Sequence, residues 1–210
     1  MVAESDALAV REPQQRRSRE AWVRILDAGV AVLQEGGVGA FTIAAVCERA
    51  GVPPRAVYDR VDSKDALFLA VYEHGMAVVR QGHAVFEDEE LWVGLSPKEA
   101  VETAVGHLLD LFADNAAFLR SVVLVSGVKP EVYRRGALYV AELEEHVVGR
   151  IAAATGDALG LRERARVAFV VAFSTVTLGT AYGPDFFENL AEGEQLRAAL
   201  PEMIAGYLGV

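Results

Sequence analysis

The sequence predicts an all-α protein: an N-terminal three-helix unit built on a helix-turn-helix, followed by a longer helical region. Three observations carry this. Apolar residues recur at helical spacing in one segment after another, beginning with Trp22, Ile25, Leu26, Gly29 and Leu33. The segments are punctuated by helix starts and stops, of which Ser96-Pro97-Lys98-Glu99 and Ala50-Gly51-Val52 are the clearest. No stretch alternates apolar and polar residues as a half-buried strand does.

The chain has 210 residues, 52% of them hydrophobic, enough for one or two domains with a sizeable core. Its single cysteine, Cys47, excludes an internal disulfide and a cysteine-based zinc site. The N-terminal MVAESDALAV has no basic region leading an apolar run, so a signal peptide is not expected and a cytoplasmic protein is. The formal net charge is −10, unevenly spread. Residues 1–64 hold nine Lys or Arg and nine Asp or Glu, while residues 65–210 hold eleven against twenty-one. The acidic excess therefore lies outside the N-terminal unit, where it limits non-specific attraction to nucleic acid without neutralising the unit itself.

Residues 1–17 read as a flexible basic arm ending in Gln14-Gln15-Arg16-Arg17. Arg16, Arg17 and Arg19 suit phosphates or a minor groove, as basic arms do. A helix is expected from Ser18 to about Glu35, stopped by Gly36 and Gly37. Gly36-Gly37-Val38-Gly39 is no phosphate loop, because no Lys-Ser or Lys-Thr follows and no strand precedes it. Thr42 is then an N-cap for a helix over Ile43–Ala50. Gly51 provides the left-handed stop, and Pro53 and Pro54 restart the chain into a second short helix to about Val61. That helix spends few side chains on a core and shows Arg55, Tyr58, Asp59 and Arg60. Asp62 or Ser63 caps a third helix from Lys64. A short helix with basic, aromatic and hydrogen-bonding side chains, braced by another, is helix-turn-helix geometry shaped for a DNA major groove.

With Ile25-Leu26-Asp27-Ala28, Thr42, Ala50-Gly51-Val52, Val57-Tyr58 and Ser63-Lys64-Asp65-Ala66-Leu67 in order and without gaps, the first third of the chain resembles a TetR-family transcriptional regulator. Three residues depart from the family pattern. Val61 replaces an aromatic, Pro53 a small capping residue, and Asp59 a frequent His, so operator preference does not carry over. The resemblance implies a helix-turn-helix DNA-binding domain over residues 18–62 and a linker helix over 63–80. It also implies a ligand-binding and dimerisation domain over 81–210.

Beyond the linker helix, which runs through Leu67, Ala70, Val71 and His74, residues His83 to Leu95 read as a surface loop or short turn. Ser96, Pro97 and Glu99 form a capping-box start for a helix to about Ala113, through Val101, Val105, Leu108, Leu109 and Phe112. Asn115–Val125 and Glu131 to about Ala154 are further helices, the latter with Tyr133, Leu138, Val140 and Val147 on its apolar side. Thr155-Gly156-Asp157 punctuates. Val167 to Pro184 has no charged residue and is about the length of a membrane span. Its Ser174, Thr175, Thr177, Gly179 and Thr180, and its Gly183-Pro184 end, argue instead for a helix buried between a core and a partner. A last helix spans about Glu194 to Leu208.

The resemblance implies that the last two long helices form a homodimer interface. The candidates are Phe173, Val176, Gly179, Thr180, Leu196, Leu200, Met203 and Tyr207, with Ala172, Gly179 and Ala181 small enough for close approach. For a pocket among the middle helices, the candidates are His107, Leu111, Phe118, Tyr133, Phe169, Phe173 and Thr177, suited to a small, mostly hydrophobic effector. No carboxylate pair or Arg cluster marks a charged-ligand reader.

The candidate DNA-binding residues are Arg17, Thr42, Pro54, Arg55, Tyr58, Asp59, Arg60 and Lys64. Tyr58 and Lys64 suit backbone phosphates, Arg55 a guanine edge, Thr42 a further phosphate, and Asp59 a cytosine amino group or solvent. The expected function is that of a sequence-specific regulator, a repressor relieved by its effector, reading a palindromic double-stranded operator as a dimer. The alternatives are a helix-turn-helix protein acting through protein contacts, or an enzyme. The enzyme lacks support: Ser126-Gly127 has no Gly-x-Ser-x-Gly elbow, and the four histidines (74, 83, 107, 146) show no ligand spacing with each other or with Cys47. No catalytic residue, metal, cofactor or membrane association is expected.

Overall fold

The computed structural model describes residues 10–11, 16–156, 160–183, 186 and 193–210. Most of the expected arm, Asp157 and Pro184 lie outside the described residues. The described residues form helices with no strand among them, in two compact units, 1–78 and 79–210.

In the first unit, α1 spans Arg16–Ala40, α2 Ile43–Ala50, α3 Pro54–Tyr58, and α4 begins at Lys64 and runs to Gln81. Gly37, at φ 64° and ψ −167°, interrupts α1 where the sequence places the stop, and a last turn follows it to Ala40. The inner face of α1 is Trp22, Ile25, Leu26, Val32 and Leu33. Gly29 lies on the same face because a Cβ there would stand 2.4 Å from a Val71 methyl of α4. Phe41 and Phe68 meet edge to face at 5.4 Å, and both are buried. Arg49 of α2 makes a bidentate pair with Glu35 of α1 at 2.6 and 2.7 Å.

The second unit comprises α5 (Ala84–Glu87), α6 (Pro97–Asp114), α7 (Ala116–Ser126), α8 (Pro130–Ala154), α9 (Leu161–Tyr182) and α10 (Gly193–Leu208). Helix α6 packs against α8, α9 and α10, and α7 against α8 and α9. The stretch expected as a surface loop or short turn, His83 to Leu95, holds the single turn of α5 and a 3-10 turn over Glu89–Leu91. Packing orders it: Phe86 is buried and stacks on Trp92 at 6.0 Å, and Trp92 Nε1 donates to the Val85 carbonyl at 2.9 Å. The capping box of α6 is formed. Ser96 Oγ accepts from the Glu99 amide, and Glu99 Oε2 accepts from the Ser96 amide at 2.8 Å.

On α8 only Val147 of the residues the sequence singles out is fully buried, and on α9, apolar all round in the sequence, one face is buried and the other is not. On α8 the buried face is Val132, Tyr139, Leu143 and Val147, while Tyr133 and Leu138 are 64% and 62% exposed. On α9 the buried face is Ala165, Ala168, Phe169, Ala172 and Val176. The opposite face exposes Val167, Val170, Val171, Leu178 and Tyr182, a stripe at helical spacing. By length and composition α9 alone among the described helices is apolar enough to cross a membrane. Its buried face is packed against α6, α7, α8 and α10.

Candidate nucleic-acid interface and effector groove

The helix-turn-helix is set by local chemistry. Thr42, in extended backbone, accepts the Ala45 amide on Oγ1 at 3.0 Å and starts α2. Gly51 ends it at φ 64° and ψ 39°, its amide and that of Val52 returning to the carbonyls of Glu48 and Cys47. Pro53 is extended and Pro54 opens α3, which costs no helical hydrogen bond. The helix ends at Tyr58, sooner than the expected Val61, because the chain tightens there: the Arg60 and Val61 amides both donate to the Val57 carbonyl. Val57 and Val61 are buried and fix the rotation of α3. Val61, where the family pattern has an aromatic, is fully accommodated in this core.

That rotation leaves Pro54, Arg55, Tyr58 and Asp59 exposed, with Tyr58 at 51%. Arg55 Nε lies 4.0 Å from Asp59 Oδ1 across one turn, a loose, solvent-exposed pair that leaves the guanidinium edge accessible. Lys64 is exposed at the start of α4, where Ser63 Oγ accepts the Ala66 amide at 3.1 Å. Thr42 and Arg17 are exposed as well. Arg60 is placed differently. It is half-buried, and its guanidinium donates to the Arg11 carbonyl at 3.1 Å and to Ser18 Oγ. Arg11 reciprocates: its amide donates to the Arg60 carbonyl at 3.0 Å, and its guanidinium to the Tyr58 carbonyl at 3.2 Å and to Asp62. Arg11 escaped the sequence reading. The available signal was its position as the lone basic residue among the first fifteen.

Cys47 is buried beneath α2, and burial pushes its thiol up from the ordinary value, away from the thiolate a redox sensor needs. Arg49, the nearby cation, is committed to Glu35. His74 Nε2 is 2.7 Å from Asp27 Oδ1, tying α4 to α1.

In the second unit the candidate effector residues do not share one wall. A groove of about 460 Å³ runs between α7 and α9, and of the candidates it takes Phe173 and Thr177, together with Leu124, Ser174, Leu178 and Tyr182. Leu111, Phe118 and Phe169 are core residues, and Tyr133 is exposed on α8. His107 packs beside Phe86 and Trp92. Of the expected dimer residues, Val176 and Leu200 are buried within the chain itself, because α9 and α10 turn them toward their own core. Phe173, Gly179, Thr180 and Leu196 are half-buried, and Met203 and Tyr207 are exposed.

Two histidines far apart in sequence come together here. The His83 and His146 rings are 5.2 Å apart, and His83 Nε2 is 3.1 Å from the Tyr139 hydroxyl. Burial, then the neighbouring His146, push His83 below its ordinary pKa, against the opposing pull of Glu142. Among the described residues no group of three or more His, Cys, Asp or Glu is placed to hold a metal ion.

Residues 25–71 match the family model described as bacterial regulatory proteins, tetR family, a span that holds most of α1, all of α2 and α3, and the start of α4. This chain carries a TetR-family domain. The TetR-family domain is a helix-turn-helix module of transcriptional regulation, and α2–Gly51–α3 is its helix-turn-helix here. Solved structures extend the likeness of fold beyond the TetR-family segment. A transcriptional regulator from Rhodococcus sp. RHA1 superposes with a TM-score of 0.67 at 20% identity, covering 89% of this chain and 95% of that one. A TetR-like transcriptional regulator from the same organism covers 95% and 100% at 18% identity and a TM-score of 0.58. The transcriptional regulator FadR from Bacillus subtilis, solved in complex with stearoyl-CoA, covers 87% and 97% at 14% identity and a TM-score of 0.60. No curated protein matches the sequence.

Proposed function

We propose that this chain is a dimeric, cytoplasmic transcriptional repressor that binds a palindromic operator through α3 and is released by a small, mostly hydrophobic effector. The observation that carries the reading is the division of labour on α3: Val57 is fully buried, while Arg55, Tyr58 and Asp59 are left to solvent on a helix of five residues. Arg55 reads a guanine edge, Tyr58 and Lys64 hold backbone phosphates, and Thr42 adds a phosphate contact at the start of α2. Arg60 acts indirectly, by holding Arg11 against the end of α3.

Dimerisation supplies the second reading head, ~34 Å away on the same DNA face. The exposed stripe of α9, with Met203 and Tyr207 of α10, supports a second copy as the cover, since a contiguous apolar patch of this kind marks an interaction site. The groove between α7 and α9 is the effector site. The effector binds more tightly to a dimer state of low operator affinity and shifts the population toward it. The Bacillus subtilis FadR, solved in complex with stearoyl-CoA, lends support to a ligand with a long apolar body.

Arg55→Ala and Lys64→Ala test the division. Lys64→Ala is expected to weaken binding to all DNA sequences alike and to lower the slope of log K against log salt by about one. Arg55→Ala is expected to relax specificity at one operator position, a discrimination of ~1–3 kcal/mol. An unchanged salt slope in Lys64→Ala would remove the phosphate role.

A further inference from the structure

We propose that the groove between α7 and α9 takes an amphipathic anion, its apolar body lying along Leu124, Phe173 and Leu178 and its anionic head held by Arg120, with Thr177 as a second polar contact. The inference rests on the reading of this groove as the effector site and adds the charge of the ligand, which the sequence did not reveal.

Three observations converge. The first is the cation. Every other Lys and Arg between Val79 and Val210 is engaged: Arg80 with Glu142, Lys98 with Glu102, Arg134 with Glu131, Arg162 and Arg166 with Glu144 and Glu145, Arg197 with Asp110, and Arg150 and Arg164 with backbone carbonyls, while Lys129 and Arg135 also have partners. Arg120 has neither an ion pair nor a hydrogen bond among the described residues, in a region, residues 79–210, that holds nineteen Asp or Glu against eleven Lys or Arg. A protein so rich in carboxylates pairs its cations readily, so the exception is informative.

The second is its place. Arg120 stands one turn before Leu124 on α7, on the face that forms the groove wall. Its Nη1 lies 3.6 Å from where a Cβ on Gly183 would be, at the end of α9 beside Tyr182, which lines the groove. Arg120 itself is outside the groove lining, but its guanidinium lies beside Gly183, the residue that follows the lining residue Tyr182, within side-chain reach of that end of the groove.

The third is a hydroxyl. Threonines within helices ordinarily return their hydroxyl to the carbonyl one turn back, as Thr175 does to Val171 at 2.9 Å. Thr177 Oγ1 is buried and has no partner among the described residues, although it borders the groove. A buried hydroxyl without a partner costs free energy that a ligand atom recovers. The groove volume falls within the ordinary range for small-molecule sites.

Calorimetry of the full chain without DNA decides the matter, with decanoate and decyl phosphate as anionic probes and decyltrimethylammonium as the cation of the same chain length. Saturable binding of at least one anion is expected, with one site per protomer and no comparable binding of the cation. Arg120→Gln is expected to weaken the anion about tenfold, the worth of one charge-assisted hydrogen bond at a partly exposed site. Thr177→Val should weaken it less. Arg120 also lies near the C-terminal carbonyls of α9, where a cation is favourable for purely structural reasons. Thermal unfolding separates the two roles, because a structural one lowers the melting temperature and leaves affinity unchanged. Binding of neither anion, equal affinity in Arg120→Gln, or equal binding of the cation would each overturn the proposal. Anion binding without operator binding would sink the regulator reading and leave this site standing; operator binding without anion binding would do the reverse.

Discussion

His83 shows how much one buried side chain determines. It is 3% exposed, bonded to Tyr139, and faced by His146 and Glu142 on α8, Glu87 on α5 and Arg80 on α4. Its pKa lies below the ordinary value, so the folded protein holds it neutral where the unfolded chain binds a proton. The stability this neutrality gives is complete above the ordinary histidine value of about 6.5 and is lost as pH falls below it. The melting temperature of the wild type should therefore drop between pH 7 and pH 5 more steeply than that of His83→Gln, the difference not exceeding ~1.4 kcal/mol per pH unit. Parallel melting curves across that range would show that His83 titrates normally. The sequence placed His83 in a surface loop or short turn, because the contact that buries it comes from Tyr139, 56 residues away. The same limit hid the role of Arg60. Its partners, Arg11 and Ser18, are remote in sequence, and an arginine on a recognition helix reads as a DNA contact unless those partners are known. Thr42, Gly51 and Ser63 were legible because each acts on backbone groups within five residues of itself.

At the scale of the element, starts and stops were better foreseen than rotations. The capping box at Ser96 fixed the start of α6 to the residue. Its Glu99 carboxyl is held below the usual range by the hydrogen bonds from Ser96. Ser96→Ala should cost about 1 kcal/mol, seen as a fall of ~2–4 °C in the melting temperature for a protein of this size. An unchanged melting temperature would mean that α6 is held by packing alone. The rotations of α8 and α9 were not legible, since both helices carry apolar residues on more than one face. On α8, Tyr133 and Leu138 compete with Val132, Tyr139 and Leu143, and only the neighbouring helices decide between them. The groove between α7 and α9 follows from those rotations, which is why Phe173 and Thr177 line it and Phe118 and Phe169 do not. Arg120 joins it only once α7 and α9 are seen side by side.

At the scale of the whole molecule, the exposed stripe of α9 has to be explained. Val167, Val170 and Val171 form the part of that apolar face, clear of the groove, that a second copy covers in the proposed dimer. Val170→Glu places a charge in that face without touching the protomer core. Sedimentation should find a dimer for the wild type and a monomer for the variant, with thermal unfolding of the monomer retained. A variant that remains dimeric would move the interface elsewhere. Dimerisation and DNA recognition are separable in this way, and the acidic excess beyond residue 64 is tolerable because residues 1–64, which hold the proposed DNA-reading helix, are charge-balanced.

The most direct test of the central claim is fluorescence anisotropy of the purified protein on DNA from upstream of its own gene, against a scrambled duplex, across a salt series. Tight, salt-sensitive binding that exceeds binding to the scrambled duplex and is abolished by Tyr58→Ala is expected of an operator-specific regulator. If the protein bound its own upstream DNA and the scrambled duplex equally, and a genome-wide binding selection also enriched no sequence, α3 would not be a DNA-reading helix.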